Sequence, residues 1–160
     1  GQGISTAVGM ALSAKHFGDS WRVYTVLGDG EIEEGQVWEA AMFAGNKKLD
    51  NLVAYVDLNN LQIDGTLEEV NSPCPVDSKF AAFGWEVFTV DGHDLEAIEA
   101  AYKAAREVKG KPSVIIATSV KGKGVSFMEN QVGWHGSAPN AEQYEKAMAE
   151  LNAQMAALEA

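Results

Sequence analysis

Val23-Tyr24-Thr25-Val26-Leu27-Gly28-Asp29-Gly30 decides how this chain folds. A five-residue apolar run ends at a Gly-Asp-Gly triplet. Beyond the triplet, Val37, Ala40, Ala41 and Ala44 recur at helical spacing. The pattern returns further on: Leu52-Val53-Ala54-Tyr55-Val56 runs into Asn59-Asn60 and then Leu61-Gln62-Ile63-Asp64-Gly65. Each polar cluster therefore sits just past the C-terminal end of a strand, where ligands bind in open parallel α/β sheets. Two such ends can bring Asp29 and Asn59 together in space.

The rest of the chain keeps to this scheme. Strands are expected at 23–27, 52–56, 85–90 and 114–117. A small-residue helix is expected at 4–17, with Gly18 as its C-cap. Leu95, Ile98, Tyr102, Ala105 and Val108 mark a helix before Gly110-Lys111-Pro112, and Asn140 with Gln143 opens the last one. Near-continuous apolar strands alternating with helices imply an α/β fold, a mostly parallel sheet with helices on both faces. A long glycine-rich loop, 119–139, leaves a strand end on the same sheet edge and carries Lys121, Lys123, Trp134 and His135.

The residue types suggest a chemistry. Glycines beside Asp29 permit positive φ and close backbone approach, so main-chain N–H groups can face a phosphate. The following helix would turn its positive N-terminus to the same anion. Asp29 brings a carboxylate oxygen, Asn59 an amide oxygen, and a backbone carbonyl just beyond Asn59 a third. That set is too weakly charged for a calcium cage and suits Mg²⁺ completed by phosphate oxygens and water. Asp-Gly and Asn-Asn are also ordinary turn chemistry, so the pairing of the two clusters carries the signal rather than either one. Neither Asp29 nor Asn59 is assigned to the apolar core, so both are expected to be removable without unfolding the chain.

Composition sets outer bounds. With 160 residues and 46% hydrophobic content, one sizeable core can form. A net charge of −11 argues against nucleic acid and anionic membranes as partners. No apolar stretch approaches the ~20 residues that span a bilayer. Cys74 is the sole cysteine, which excludes an internal disulfide and suggests a cytoplasmic setting.

Gly28-Asp29-Gly30 with Asn59 resembles the thiamine diphosphate motif. Glu34-Gly35-Gln36-Val37-Trp38-Glu39-Ala40, the stretch from Leu52 to Gly65, Val90-Asp91-Gly92-His93-Asp94 and Gly133-Trp134-His135-Gly136 narrow the resemblance to transketolase, in particular the N-terminal subunit of two-subunit forms. The resemblance implies a thiamine diphosphate-binding (pyrophosphate-type) domain over 1–160, trimmed at its N-terminus, since Gly1-Gln2-Gly3-Ile4-Ser5 looks like the tail of a longer motif. It implies thiamine diphosphate with Mg²⁺ (Ca²⁺ or Mn²⁺ as substitutes), held by Asp29, Asn59 and the Leu61 carbonyl. Gly28, Gly30 and His135 would contact the cofactor. His135, Glu34 and Glu39 would be catalytic, the glutamates through a carboxylate network at a subunit interface. The implied partners are a C-terminal transketolase subunit in a heterotetramer-like assembly and sugar phosphate substrates. The implied reaction is transfer of a two-carbon ketol unit from a ketose phosphate to an aldose phosphate.

Alternatives stay open. Deoxyxylulose phosphate synthase and the 2-oxo-acid dehydrogenase component share the short motif, and a non-catalytic cofactor-binding module is a different class. Glu31 and Glu33 are explained by the helix dipole alone. His93 reads as turn chemistry, and Lys121 and Lys123 as solvated loop charges. Val37, Trp38, Met42 and Phe43 offer more apolar surface than one sheet face needs, which points to part of the helix packing against another subunit, with packing on the chain's own sheet as the competing explanation for Val37 and Ala41.

Overall fold

Alternating side chains divide each strand between two covers. In the computed structural model, which describes residues 1–159, helix α1 (Gln2–Phe17) leads into β1 (Val23–Gly28). Helix α2 (Gly35–Asn46) leads into β2 (Leu52–Leu58). A small antiparallel hairpin follows, β3 (Leu61–Gln62) with β4 (Gly65–Thr66), then the short helices α3 (Leu67–Val70) and α4 (Val76–Ala82). Strand β5 (Glu86–Asp91), helix α5 (Leu95–Glu107), strand β6 (Ser113–Thr118) and helix α6 (Ala141–Leu158) complete the chain. The main sheet runs β1-β2-β6-β5, and every pairing in it is parallel. The four expected strands are all present, each within two residues of its expected bounds.

Val23 and Leu27 of β1, Leu52, Ala54 and Val56 of β2, and Val114 and Ile116 of β6 form one face. Helices α1, α2 and α4 cover it through small residues such as Ala7, Ala11, Ala40 and Ala44, with Phe80 wholly buried. The small side chains let backbones approach closely. A Cβ on Gly45 would lie 1.8 Å from the Phe83 carbonyl oxygen, and the Trp85 indole N–H donates to the Ala41 carbonyl at 2.8 Å. On the opposite face, Val53 and Ile115 pack against Ala101 and Ala105 of α5. Both faces thus carry helices as expected, but unevenly: Val26, beyond the reach of α5, is 69% exposed.

Gly18 ends α1 with φ 76°, and the Asn140–Gln143 capping box opens α6. The segment 119–139 is better ordered than its glycine content suggests. Ser126 donates both its N–H and its hydroxyl to Glu150 of α6, Gln154 donates to the Gly124 carbonyl, and the Trp134 indole N–H reaches the Phe127 carbonyl at 3.1 Å. The Ser126 N–H and hydroxyl hold the Glu150 carboxyl below the usual glutamate range.

Helix α2 divides its apolar residues between the core and the surface. Val37 is fully buried in the chain's own core. The Trp38 ring packs 5.2 Å from Phe80 and 6.3 Å from Phe83 and is half-buried against the core. Met42 and Phe43, 54% and 40% exposed, remain outside.

Candidate active site

The strand register aligns the polar ends. Gly28 pairs with Asp57 and Leu58 with Thr118, so the residues following β1, β2 and β6 emerge side by side. Between them lies a cavity of about 490 Å³. Gly28, Asp29, Gly30, Asn59, Leu61 and His135 all line it, so tertiary structure unites six residues drawn from three separate loops.

Asp29 is its buried centre, 2% exposed. One carboxylate oxygen accepts the Gly30 N–H at 2.8 Å. The other accepts the Asn59 N–H at 2.8 Å and the Asn60 N–H at 2.5 Å. Asp29 therefore ties the β1 loop to the β2 loop. Burial pushes its pKa above the usual aspartate value, against the three N–H donors and with a small push from the Asp57 charge. Removing this carboxylate would orphan three backbone donors, so the fold as well as the cavity draws on it.

Asn59 is held at both ends of its amide. Its Nδ2 donates to Asp57 at 3.2 Å, and its Oδ1 accepts the Leu61 N–H at 3.1 Å. The Ser119 hydroxyl donates to the second Asp57 oxygen. Asn60 beside it adopts φ 65°, and its carbonyl accepts the Leu67 N–H.

The glycines serve differently from expectation. Neither Gly28 nor Gly30 has positive φ; Gly30 sits at φ −66°. Close approach is what Gly30 provides, since a Cβ there would stand 3.0 Å from the Gln62 Cβ. Gln62 is itself fixed by a 2.7 Å bond to Glu33. The N–H groups of Gly28 and Gly30 donate to carboxylates of the chain itself, Glu31 and Asp29. A single 3₁₀ turn, Glu31–Glu33, separates the triplet from α2. The helix N-terminus is thus set back from the cavity rather than abutting it.

His135 is exposed on the cavity rim, at the end of the 3₁₀ turn Val132–Trp134. Lys121 also lines the cavity. Lys123 does not; it stands 3.6 Å from Glu129. Glu34 and Glu39 are exposed and outside the cavity, with Glu34 as the α2 N-cap. Sequence reasoning missed Asp57, Ser119 and Gln62, and gave Glu31 to the helix dipole alone although it accepts the Gly28 N–H. Asp57, two residues before Asn59 and so on the same side of an extended segment, carried a usable signal; Ser119 and Glu31 carried none.

Four carboxylates, Asp29, Glu31, Asp57 and Asp64, line the cavity against Lys121 and His135. Such a surface repels a naked diphosphate and accepts one bridged by a divalent cation. The available donors are hard oxygens: the Asp29 carboxylate, the Asn59 amide and the backbone around Leu61. They fit a small cation that keeps phosphate and water ligands.

Residues 1–157 match the family model described as transketolase, thiamine diphosphate binding domain. The chain belongs to that family. It is 46% identical over 151 residues to the 6-deoxy-6-sulfo-D-fructose transketolase subunit of Clostridium sp. (strain MSTE9), covering 94% of this chain and 55% of that protein. It is 43% identical over 159 residues to an apulose-4-phosphate transketolase subunit of Phocaeicola vulgatus, covering 99% and 57%. The crystal structure of transketolase from Campylobacter jejuni superposes with a TM-score of 0.89 at 34% identity, over 95% of this chain and 25% of that one. The chain spans about half the length of those two curated relatives. Among the described residues, no helix is long and apolar enough to cross a membrane.

Proposed function

We propose that this chain supplies the metal and diphosphate half of a thiamine diphosphate-dependent transketolase site. The carrying observation is the single cavity that gathers Asp29, Asn59, Leu61 and His135 from the three segments that follow β1, β2 and β6. In this reading Asp29, the Asn59 amide oxygen and the Leu61 carbonyl hold Mg²⁺, with Ca²⁺ or Mn²⁺ as substitutes. When bound, thiamine diphosphate supplies the nucleophilic carbon and electron sink for ketol transfer. The chain's own residues bind and orient. Asp29 meets the cation with a carboxylate already tied to two loops, so little reorganisation is needed. His135 and Lys121 stand on the rim, where they can donate to diphosphate or substrate oxygens.

The Gly28 and Gly30 N–H groups are already engaged, so their contribution is to let the loop approach closely. Glu34 and Glu39, exposed on α2, fit a role only if a second subunit covers that helix. The reaction is then transfer of a two-carbon unit from a ketose phosphate to an aldose phosphate, in complex with a C-terminal partner subunit. Two relatives bearing "subunit" in their names support a divided enzyme. Both also name transketolase activity, which favours this reading over a 2-oxo-acid dehydrogenase, a deoxyxylulose phosphate synthase or a silent binding module.

The test is to mix the complete protein with its C-terminal partner and assay ketol transfer from a panel of ketose phosphates, with Mg²⁺ and thiamine diphosphate added or withheld. Turnover that requires all the components is expected. Cofactor binding without turnover on any donor would favour the binding module. Turnover of pyruvate or another 2-oxo acid would favour the competing enzymes.

A further inference from the structure

We propose that Asp57 is a positioning residue that fixes which end of the Asn59 side-chain amide is presented to the metal. The inference rests on Asn59 being a metal ligand. A side-chain amide has an oxygen end and a nitrogen end of nearly equal shape, and only the oxygen can serve a cation. Flipped, the same side chain would aim N–H donors at a positive charge. A ligand of this kind therefore needs a neighbour that can tell its ends apart.

Asp57 is that neighbour. Ionised, it only accepts hydrogen bonds, so it attracts Nδ2, which donates to it at 3.2 Å. The Leu61 N–H, 3.1 Å from Oδ1, holds the opposite end. One lone pair of Oδ1 remains after that bond. Asp57 is fixed in turn from another strand: the Ser119 hydroxyl donates to its remaining oxygen, while the Ser119 N–H extends the β2–β6 ladder to the Leu58 carbonyl at 3.1 Å. The sheet register thus reaches Asn59 through two side chains.

Both Asp57 oxygens have partners within the protein. Both Asp29 oxygens are engaged as well, but by backbone N–H groups, whereas the partners of Asp57 are side chains. Asp57 belongs to the group of outer residues that orient metal ligands, whose loss typically weakens metal affinity by about ten- to a hundredfold.

Three variants of the complete protein with its partner test this, with Mg²⁺ titrated calorimetrically at saturating thiamine diphosphate. Asp57→Ala removes the acceptor and should weaken Mg²⁺ binding by about tenfold or more. Asp57→Asn carries a donor end as well as an acceptor end and can pair with Asn59 in either orientation, so it should recover little of that loss. Asn59→Asp makes both ends of the ligand oxygen, so adding Asp57→Ala to it should cost nothing. An Asp57→Asn variant that binds Mg²⁺ as tightly as the wild type would overturn the proposal, because an acceptor-only neighbour would then be unnecessary. An equal loss from Asp57→Ala in both backgrounds would overturn it in favour of a merely structural role.

A metal-free readout is independent of the cofactor. The Asn59 side-chain NH₂ hydrogens, followed by NMR in ¹⁵N-labelled complete protein, should exchange slowly in the wild type and quickly in Asp57→Ala. Unchanged exchange in Asp57→Ala overturns the proposal. A wild-type protein that keeps this signature yet binds no Mg²⁺ with thiamine diphosphate overturns the cofactor reading instead.

Discussion

At the β1–β2 end of the sheet, Asp29 is withdrawn from solvent and collects three N–H groups from two loops. At the β5–β6 end, Asp91, the last residue of β5, and His93 just beyond it are exposed. There Asp91 accepts the His93 N–H at 2.9 Å, and His93 Nε2 accepts the Val120 N–H at 2.8 Å. The hollow beside them is larger, about 700 Å³ against about 490 Å³. Size does not mark the end proposed to hold the cofactor. The difference is that one carboxylate sits where burial disfavours its charge, so that a cation is welcome, while the other completes a turn in water.

The largest effect should come from the buried carboxylate. Asp29→Ala in the complete protein should abolish Mg²⁺-dependent thiamine diphosphate binding and destabilise the fold by about 2–4 kcal/mol, because buried N–H groups lose their acceptor. Calorimetry and denaturant unfolding measure the two separately. Unchanged metal-dependent binding would erase the distinction between the two ends.

A middle-sized effect is expected from the close approach across the cavity. Gly30→Ala would press a methyl group on Gln62, whose side chain is tethered to Glu33. It should cost about 1 kcal/mol of stability by overpacking and weaken cofactor binding by about tenfold, ~1.4 kcal/mol. Loss of stability with full cofactor affinity would mean that the contact supports the fold and not the site.

The smallest effect belongs to the other end. His93→Ala removes one acceptor from an exposed turn, so stability should fall by no more than about 1 kcal/mol. Hydrogen exchange at the Val120 amide should rise while Mg²⁺ and cofactor affinity stay level. A large fall in affinity would make the β5–β6 end part of the site and collapse the comparison.

The sequence by itself determined the four strands, the α1 and α6 caps and the two polar clusters at strand ends. Those features depend on periodicity and on residues close in sequence: Gly18 after a helix, Asn140 three before Gln143, Asp29 after an apolar run. It also marked Asp29, Asn59, Leu61 and His135, which the fold brings to one cavity. The tertiary structure alone decided the rest. Trp38 turned inward because Phe80 and Phe83, on a later helix and its exit, were there to receive it. The Gly28 and Gly30 N–H groups went to Glu31 and Asp29, and the left-handed residue of the site is Asn60, no glycine. Asp57 and Ser119 met because β2 and β6 are neighbours in a sheet that skips β5 in chain order. Hydrogen bonds between residues distant in sequence leave no period to read, and which donor reaches which carboxylate is fixed only when the strands pair.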